Sequence, residues 1–138
     1  KLNFFISDEG VLSTLDAFKE SDRLSMPGNT MTRIKSGKNI FVKTISLNEV
    51  IQKNFKGKTP SYISIDTEGS EYEILRTFDF VKFRPVVFTI EHNFTNQQEK
   101  IDDLMQLNNY VRVFKKITAF DAWYVSNEVL DKLKNNIY

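Results

Sequence analysis

From residue 40 onward, short runs rich in β-branched and aromatic residues alternate with segments whose apolar side chains recur at helical spacing. The runs predict strands at residues 40–45, 62–65, 85–90, 110–117 and 119–125, and the segments predict helices at residues 47–55, 70–78, 96–107 and 126–135. Such alternation is typical of an α/β layer fold with a mostly parallel sheet. The link between the last two strands is too short for a parallel crossover, so we expect the final strand to be antiparallel.

The first 37 residues carry weaker signals. Residues 2–6 predict a strand that ends in the turn cluster Ser7-Asp8-Glu9-Gly10. Residues 13–37 mix polar side chains with Pro27 and Gly28, which predicts a long surface excursion with one short helix. A chain of 138 residues has room for one core, so we expect residues 1–138 to form a single domain.

Two serines precede predicted helices in the capping-box pattern, in which glutamate follows the serine three residues later. Ser46 and Glu49 form the first pair, and Ser70 and Glu73 form the second. We therefore expect a capped helix to begin after each serine.

The chain contains no cysteine, which excludes disulfides, thiolate zinc sites, iron–sulfur clusters and a cysteine nucleophile. This composition is compatible with a reducing compartment, and we expect a cytoplasmic protein. With 19 basic and 18 acidic residues the formal net charge is +1, so no global field favours nucleic acid or an anionic membrane as a partner. No apolar run approaches the roughly 20 residues that a membrane-spanning helix needs.

Polar side chains follow two consecutive predicted strands. Asp66 and Glu68 end the first strand, and Glu91, His92 and Asn93 end the second. Because ligands of α/β sheets bind beyond the carboxyl ends of parallel strands, we expect these side chains to lie close together in a catalytic site. His92, the single histidine, is the candidate general base. The oxygen donors of Asp66, Glu91 and Asn93 form a candidate site for a hard cation, Mg²⁺ or Ca²⁺.

Each of these residues also fits a structural role. Asp66 precedes a turn at Gly69, and Glu68 and Glu71 would gain roughly 0.3–1 kcal/mol each at a helix N-terminus without any catalysis. A lone histidine is often structural as well. The chain has neither a phosphate-binding loop nor a dinucleotide-binding glycine motif, so no nucleotide site is predicted.

Five segments together resemble the FkbM family of S-adenosylmethionine-dependent methyltransferases. The marker of that family is a strand ending in I-D-x-E-G-x-E-x-x-x-L, and residues 65–75 carry it complete as IDTEGSEYEIL. The other segments that resemble the family are FFISDEGVLSTL, VKTISLNEVI, RPVVFTIEHN and FDAWYV. Their order along the chain agrees with the predicted order of strands and helices.

This resemblance implies a Rossmann-like class I methyltransferase fold. Family members carry a glycine-rich strand and loop that hold the methionine part of the cofactor, followed by an acidic residue that binds its ribose, and neither is found in this sequence. We therefore expect the sequence to be the C-terminal half of the domain, with the cofactor-binding residues upstream of Lys1.

The same resemblance implies transfer of the methyl group of S-adenosylmethionine to an oxygen of a small molecule or sugar. Asp66 and Glu68 would orient this acceptor, and His92 would take its proton. Resemblance to catechol O-methyltransferase, which takes metal ligands from the ends of the same two strands, implies Mg²⁺ at Asp66, Glu91 and Asn93.

Two other interpretations stay open. Asp66-Thr67-Glu68 also fits the D-x-E motif of DEDD-type exonucleases, although the chain has no late histidine of the kind that class uses. Without a cofactor half, the predicted strand at residues 62–65 would have an open edge, and such edges pair with other chains. The chain would then be an inactive truncated or pseudo-enzyme module that associates through this edge, for example as a homodimer.

Overall fold

The computed structural model describes residues 1–8, 10–18, 23–26, 29–32, 36–92 and 97–135. Nine strands and four helices occur within these ranges, which confirms the predicted α/β class. The strands are β1 (Leu2–Ser7), β2 (Thr14–Leu15), β3 (Arg23–Met26), β4 (Asn29–Thr32), β5 (Gly37–Val42), β6 (Tyr62–Ile65), β7 (Val87–Glu91), β8 (Tyr110–Val113) and β9 (Asp121–Ser126). The helices are α1 (Leu47–Asn54), α2 (Glu71–Leu75), α3 (Gln97–Leu107) and α4 (Asn127–Asn135), and single turns of 3-10 helix lie at Gly10–Leu12 and Asp16–Phe18.

The strands near the N-terminus pair in antiparallel fashion. β1 lies between β2 and β5 in a three-stranded sheet, and β3 pairs with β4 as a separate hairpin. The prediction of a surface excursion over residues 13–37 is therefore wrong in part, since β2, β3 and β4 lie within these residues. These strands are too short to show a two-residue period in the sequence. At Gly37 the chain needs glycine, since a Cβ atom there would lie 2.2 Å from the carbonyl oxygen of Ile6.

The second sheet has the strand order β6-β7-β9-β8. β6 and β7 are parallel, whereas β9 is antiparallel to both of its neighbours. β6, β7 and β8 therefore run in one direction and β9 runs against them, as predicted for the final strand.

The prediction of a mostly parallel sheet is wrong, because most neighbouring strands pair in antiparallel fashion. Of the six pairs within the described residues, one is parallel and five are antiparallel. The reason is topological, because β9 enters between β7 and β8, and each of these co-directional strands then pairs with a reversed neighbour. The strand predicted at residues 40–45 belongs instead to the antiparallel sheet of β1.

The capping box predicted at the start of α1 is confirmed. Ser46 Oγ accepts the backbone N–H of Glu49 (3.2 Å), and Glu49 Oε2 accepts the backbone N–H of Ser46 (3.2 Å). These hydrogen bonds hold the pKa of Glu49 below its usual range. The box predicted at Ser70 is not formed, because the backbone there (φ −101°, ψ 11°) lies outside the extended region that a capping serine adopts.

The core lies between the second sheet and three helices. α1 contributes Ile51, α2 contributes Leu75, and α3 contributes Ile101 and Met105. The strands contribute alternate residues, which are Ile63, Ile65, Phe88, Ile90, Tyr110, Ala122 and Tyr124. β6 forms one edge of this sheet, and no further strand pairs with it among the described residues.

In the described part of the chain, every helix is too short or too polar to cross a lipid bilayer.

Candidate active site

The loop at residues 66–70 joins β6 to α2 and carries two of the predicted site residues. Glu71, the first residue of α2, is buried beneath this loop. Its Oε1 atom accepts the backbone N–H groups of Thr67 (2.8 Å) and Gly69 (3.1 Å) and the hydroxyl of Thr67 (2.9 Å). Hydrogen bonds to a carboxylate are stronger than those between neutral groups, so Glu71 fixes the shape of the loop.

Two other elements hold the same loop by its carbonyl groups. The Thr14 hydroxyl in β2 donates to the carbonyl oxygen of Glu68 (2.8 Å) and also lies 3.3 Å from that of Thr67. At the start of α3, the Gln97 side-chain amide donates to the carbonyl oxygen of Gly69 (2.8 Å). The loop is therefore held from β2, α2 and α3.

Glu68 has a backbone conformation that L residues rarely adopt. Its φ is 54°, in the left-handed region. This conformation costs about 1–2 kcal/mol for a residue with a Cβ atom. Backbone strain of this kind is concentrated at functional sites, and here it belongs to a residue that the sequence predicts to be catalytic.

The carboxylates of Asp66, Glu68 and Glu91 form a cluster. One oxygen from each side chain lies within 4.8 Å of the others. The parallel register of β6 and β7 explains this proximity, because Ile65 pairs with Ile90 and the next residue on each strand is an acid. The predicted neighbourhood of Asp66, Glu68 and Glu91 is thus found in the structure.

The donor set of this carboxylate cluster fits a hard cation. Mg²⁺ and Ca²⁺ bind carboxylate oxygens, and Mg²⁺ usually keeps several waters beside one or two protein ligands. Asp66 and Glu91 belong to the predicted metal site and do lie together, with Glu68 as a third carboxylate that the prediction did not include. The third predicted ligand, Asn93, lies outside the described residues.

His92, the predicted base, is buried and is not a member of the carboxylate cluster among the described residues. Its Nε2 lies 3.2 Å from Nη2 of Arg112. A guanidinium group can only donate, so Nε2 accepts this hydrogen bond and the proton of the neutral ring resides on Nδ1. Burial, followed by the positive charge of Arg112, lowers the pKa of His92 below its usual value.

Arg112 connects His92 to a further hydrogen-bonded pair, Asp102 and Tyr124. Its Nη1 donates to Asp102 Oδ2 (3.0 Å), and the Tyr124 hydroxyl donates to Asp102 Oδ1 (2.7 Å). Burial and the hydrogen bond to Asp102 raise the pKa of Tyr124 well above its usual range. The four side chains form a series of hydrogen bonds that runs from the residue after β7 to β8, α3 and β9.

Comparison with known families agrees with the marker sequence at residues 65–75. The family model of the methyltransferase FkbM domain matches residues 2–116. The chain belongs to the FkbM methyltransferase family. The matched residues of this FkbM chain include the carboxylate cluster, Glu71, His92 and Arg112. No curated protein and no solved structure matches the chain.

Sequence reasoning missed the part that Arg112 and Asp102 play in the FkbM chain. A signal was present for Arg112, since it lies two residues after the buried Tyr110 and therefore shares its face of β8. A charged residue on a buried face requires a partner. For Glu71, the sequence left open whether the side chain faces solvent, and the structure places it under the loop.

Proposed function

We propose that this chain takes part in S-adenosylmethionine-dependent methyl transfer to an oxygen of a small molecule or sugar. The observation that supports the proposal is the cluster of Asp66, Glu68 and Glu91 at the carboxyl ends of β6 and β7, in a chain of the FkbM methyltransferase family. Ligands of α/β folds bind at that edge of the sheet. S-adenosylmethionine would supply the methyl group.

In this proposal the carboxylates of Asp66 and Glu68 orient the acceptor by accepting hydrogen bonds from its polar groups. Positioning of this kind is the main requirement of methyl transfer, because the reacting atoms must be aligned and close. The rigid loop supports it, since Thr14, Glu71 and Gln97 hold its backbone independently of any ligand.

The acceptor hydroxyl must also lose its proton, and His92 remains the predicted base. The lowered pKa keeps the ring neutral near pH 7, which is the state that can accept a proton. Its Nε2 atom is engaged by Arg112, so proton transfer would require that contact to change. The substitution His92→Gln distinguishes a catalytic base from a structural histidine. Loss of activity without loss of folding would support a base.

Instead of a base, a bound divalent cation could help the acceptor hydroxyl to lose its proton. Asp66, Glu68 and Glu91 would hold the cation, and a bound Mg²⁺ would lower the pKa of a hydroxyl placed on it. Titration with Mn²⁺, followed by electron paramagnetic resonance, tests this site directly. Asp66→Asn should weaken Mn²⁺ binding by about tenfold or more, whereas Asp103→Asn, at an exposed position of α3, should leave it unchanged.

We also propose that the second sheet is the C-terminal half of a Rossmann-like methyltransferase sheet. The common direction of β6, β7 and β8, with β9 reversed between two of them, supports this interpretation. The described residues supply no glycine-rich site for the methionine part of the cofactor. In this proposal, that site lies upstream of Lys1.

Calorimetric titration tests the use of the cofactor. S-adenosylmethionine and S-adenosylhomocysteine are titrated into the 138-residue chain and into a chain extended with the residues encoded upstream, each with and without Mg²⁺. Binding by the extended chain alone is the expected result. Binding by the 138-residue chain would overturn the upstream location, and binding by neither chain would overturn dependence on S-adenosylmethionine.

A methyl-transfer assay on the chain that binds the cofactor then tests the site. Radiolabelled S-adenosylmethionine is incubated with a panel of hydroxyl-bearing small molecules and sugars. Asp66→Asn should lower the rate about a hundredfold, which is typical for loss of a group that handles a proton or orients a nucleophile. Asp103→Asn is the matched control, and equal rates in the two variants would contradict the proposed site.

A second candidate function rests on the edge of the second sheet. β6 has no partner strand on its outer side within the described residues, and its residue Tyr62 is 54% exposed. Unpaired edges are templates for association with another chain. The alternative proposal is a non-catalytic module that forms a homodimer through β6, and sedimentation velocity over a range of concentrations tests it.

The cytoplasmic location of the protein stays a prediction.

A further inference from the structure

A cavity of about 350 Å³ opens beside the hydrogen-bonded chain of His92 and Arg112. Its walls come from α3, β8, the turn that follows β8, β9 and the first residue of α4. None of the three clustered carboxylates lines it. Its volume falls within the range of about 300–1,000 Å³ that small-molecule sites occupy.

Arg112 lines this cavity and is unusually buried for a cation. Only 9% of its side chain is exposed. Its Nη1 donates to Asp102 and its Nη2 to His92, but its Nε N–H has no hydrogen-bond partner among the described residues. Nearly all buried donors in proteins find an acceptor, so the Nε N–H of Arg112 is an exception among buried groups.

The remaining polar groups of the cavity favour the same kind of ligand. Lys115 adds a second positive charge to the wall, beside the side-chain amides of Gln106 and Asn127. The single acidic residue in the lining is Asp102, and both of its oxygens already accept hydrogen bonds, from Arg112 and Tyr124. The wall is therefore rich in donors and carries more positive than negative charge.

We propose that this cavity binds a small oxyanion, the carboxylate or phosphate group of a ligand. Arginine and lysine side chains are the usual ligands of such groups, and their hydrogen bonds to oxyanions are charge-assisted. The proposal does not depend on methyl transfer, since it rests on Arg112, Lys115 and the lining amides alone.

The test is a nuclear magnetic resonance titration of the ¹⁵N-labelled chain with inorganic phosphate and, in a second arm, with sodium acetate. Ionic strength is kept constant with sodium chloride, so that screening does not change during the titration. We expect saturable shifts of the backbone amides of Gln106, Lys115 and Asn127 for at least one anion, with a Kd of about 1 mM. The anion that saturates identifies the chemical class of the ligand.

Two lysine variants separate a built site from general attraction to positive charge. Lys115→Gln should weaken binding about tenfold, whereas Lys116→Gln, the exposed neighbour outside the cavity lining, should have no effect. Both positions are exposed, so both variants should keep the spectrum of the folded chain. The proposal is overturned if neither anion gives saturable shifts, or if Lys116→Gln weakens binding as much as Lys115→Gln.

Discussion

Glu71 is the residue on which the geometry of the candidate active site depends. Its carboxylate accepts three hydrogen bonds from a five-residue loop and is itself buried. Glu71→Ala would leave two backbone N–H groups without this acceptor, which should lower the free energy of unfolding by about 2–3 kcal/mol. Urea denaturation measures the change. Glu73→Ala, in the same helix but with an exposed side chain, should change stability by less than about 0.5 kcal/mol.

His92 makes the stability of the fold depend on pH, and the sign of this dependence follows from the burial of the side chain. The folded-state pKa is lowered below the value of about 6.5 expected in the unfolded chain. The unfolded state therefore binds a proton first as the pH falls, and stability should decrease as the pH drops below about 6.5, by about 1.4 kcal/mol for each unit of difference in pKa. Urea denaturation at about pH 7.5 and about pH 5.5 measures this loss.

The matched variant is His92→Gln, which keeps an acceptor for Arg112 but does not titrate. The chain has one histidine, so the difference between wild type and variant isolates this group from the carboxylates. The wild type should lose more stability than the variant between the two pH values. Equal losses would show that His92 does not change its pKa on folding.

At the scale of elements, α1 is defined by its capping box and by its contact with the loop after α2. Ser46 supplies the cap, and Asn48 donates to the carbonyl oxygen of Thr77 (2.8 Å) and accepts the backbone N–H of Asp79 (3.0 Å). Ser46→Ala removes the acceptor for the Glu49 N–H and should cost about 1 kcal/mol of stability. The midpoint of urea denaturation reports the change. Thr44→Ala, two residues earlier and also exposed, is the control and should be close to neutral.

At the scale of the whole molecule, the proposed dimer makes the open edge of β6 the contact between chains. The carbonyl of Ser61 accepts N–H groups of Val86 and Val87, so the backbone groups of alternate residues, including Ser64, point away from β7. Ser64→Pro removes an outward N–H, which an edge strand tolerates, and should shift a concentration-dependent dimer to monomer. Sedimentation velocity measures association, and circular dichroism verifies that the variant folds.

Ile63→Pro provides the contrast, because its N–H points toward β7 and its side chain is in the core. This variant should lose folded structure. If the wild-type chain is monomeric at every concentration, or if Ser64→Pro is folded and still dimeric, β6 is not the contact between chains.

Local patterns made α1 and the adjacency of the site acids predictable. The Ser46–Glu49 box depends on four consecutive residues, so the sequence alone is sufficient to identify it. Asp66 and Glu91 could be placed together because parallel neighbouring strands align their carboxyl ends. The box at Ser70 is not formed because the backbone there is not extended and the Ser70 hydroxyl donates to Thr67 Oγ1 (2.8 Å) within the loop.

The position of β9 could not be predicted, because strand order depends on long-range pairing that leaves no periodic signal in the sequence. The same holds for the contacts of His92 with Arg112 and of Asp102 with Tyr124, which join residues 20 and 22 positions apart. These contacts put the predicted base into a hydrogen-bonded network beside the proposed oxyanion cavity and not into the carboxylate cluster.

The sequence by itself determined the α/β class, the FkbM family and the acids at the ends of two strands, because each is a local pattern of residue types. Only the tertiary structure decided that Glu71 holds the loop from beneath, that β9 lies between β7 and β8, and that His92 contacts Arg112. The physical reason is that a side chain's partner is set by burial and by the folding of distant segments against one another, and neither quantity is encoded within a short window of residues.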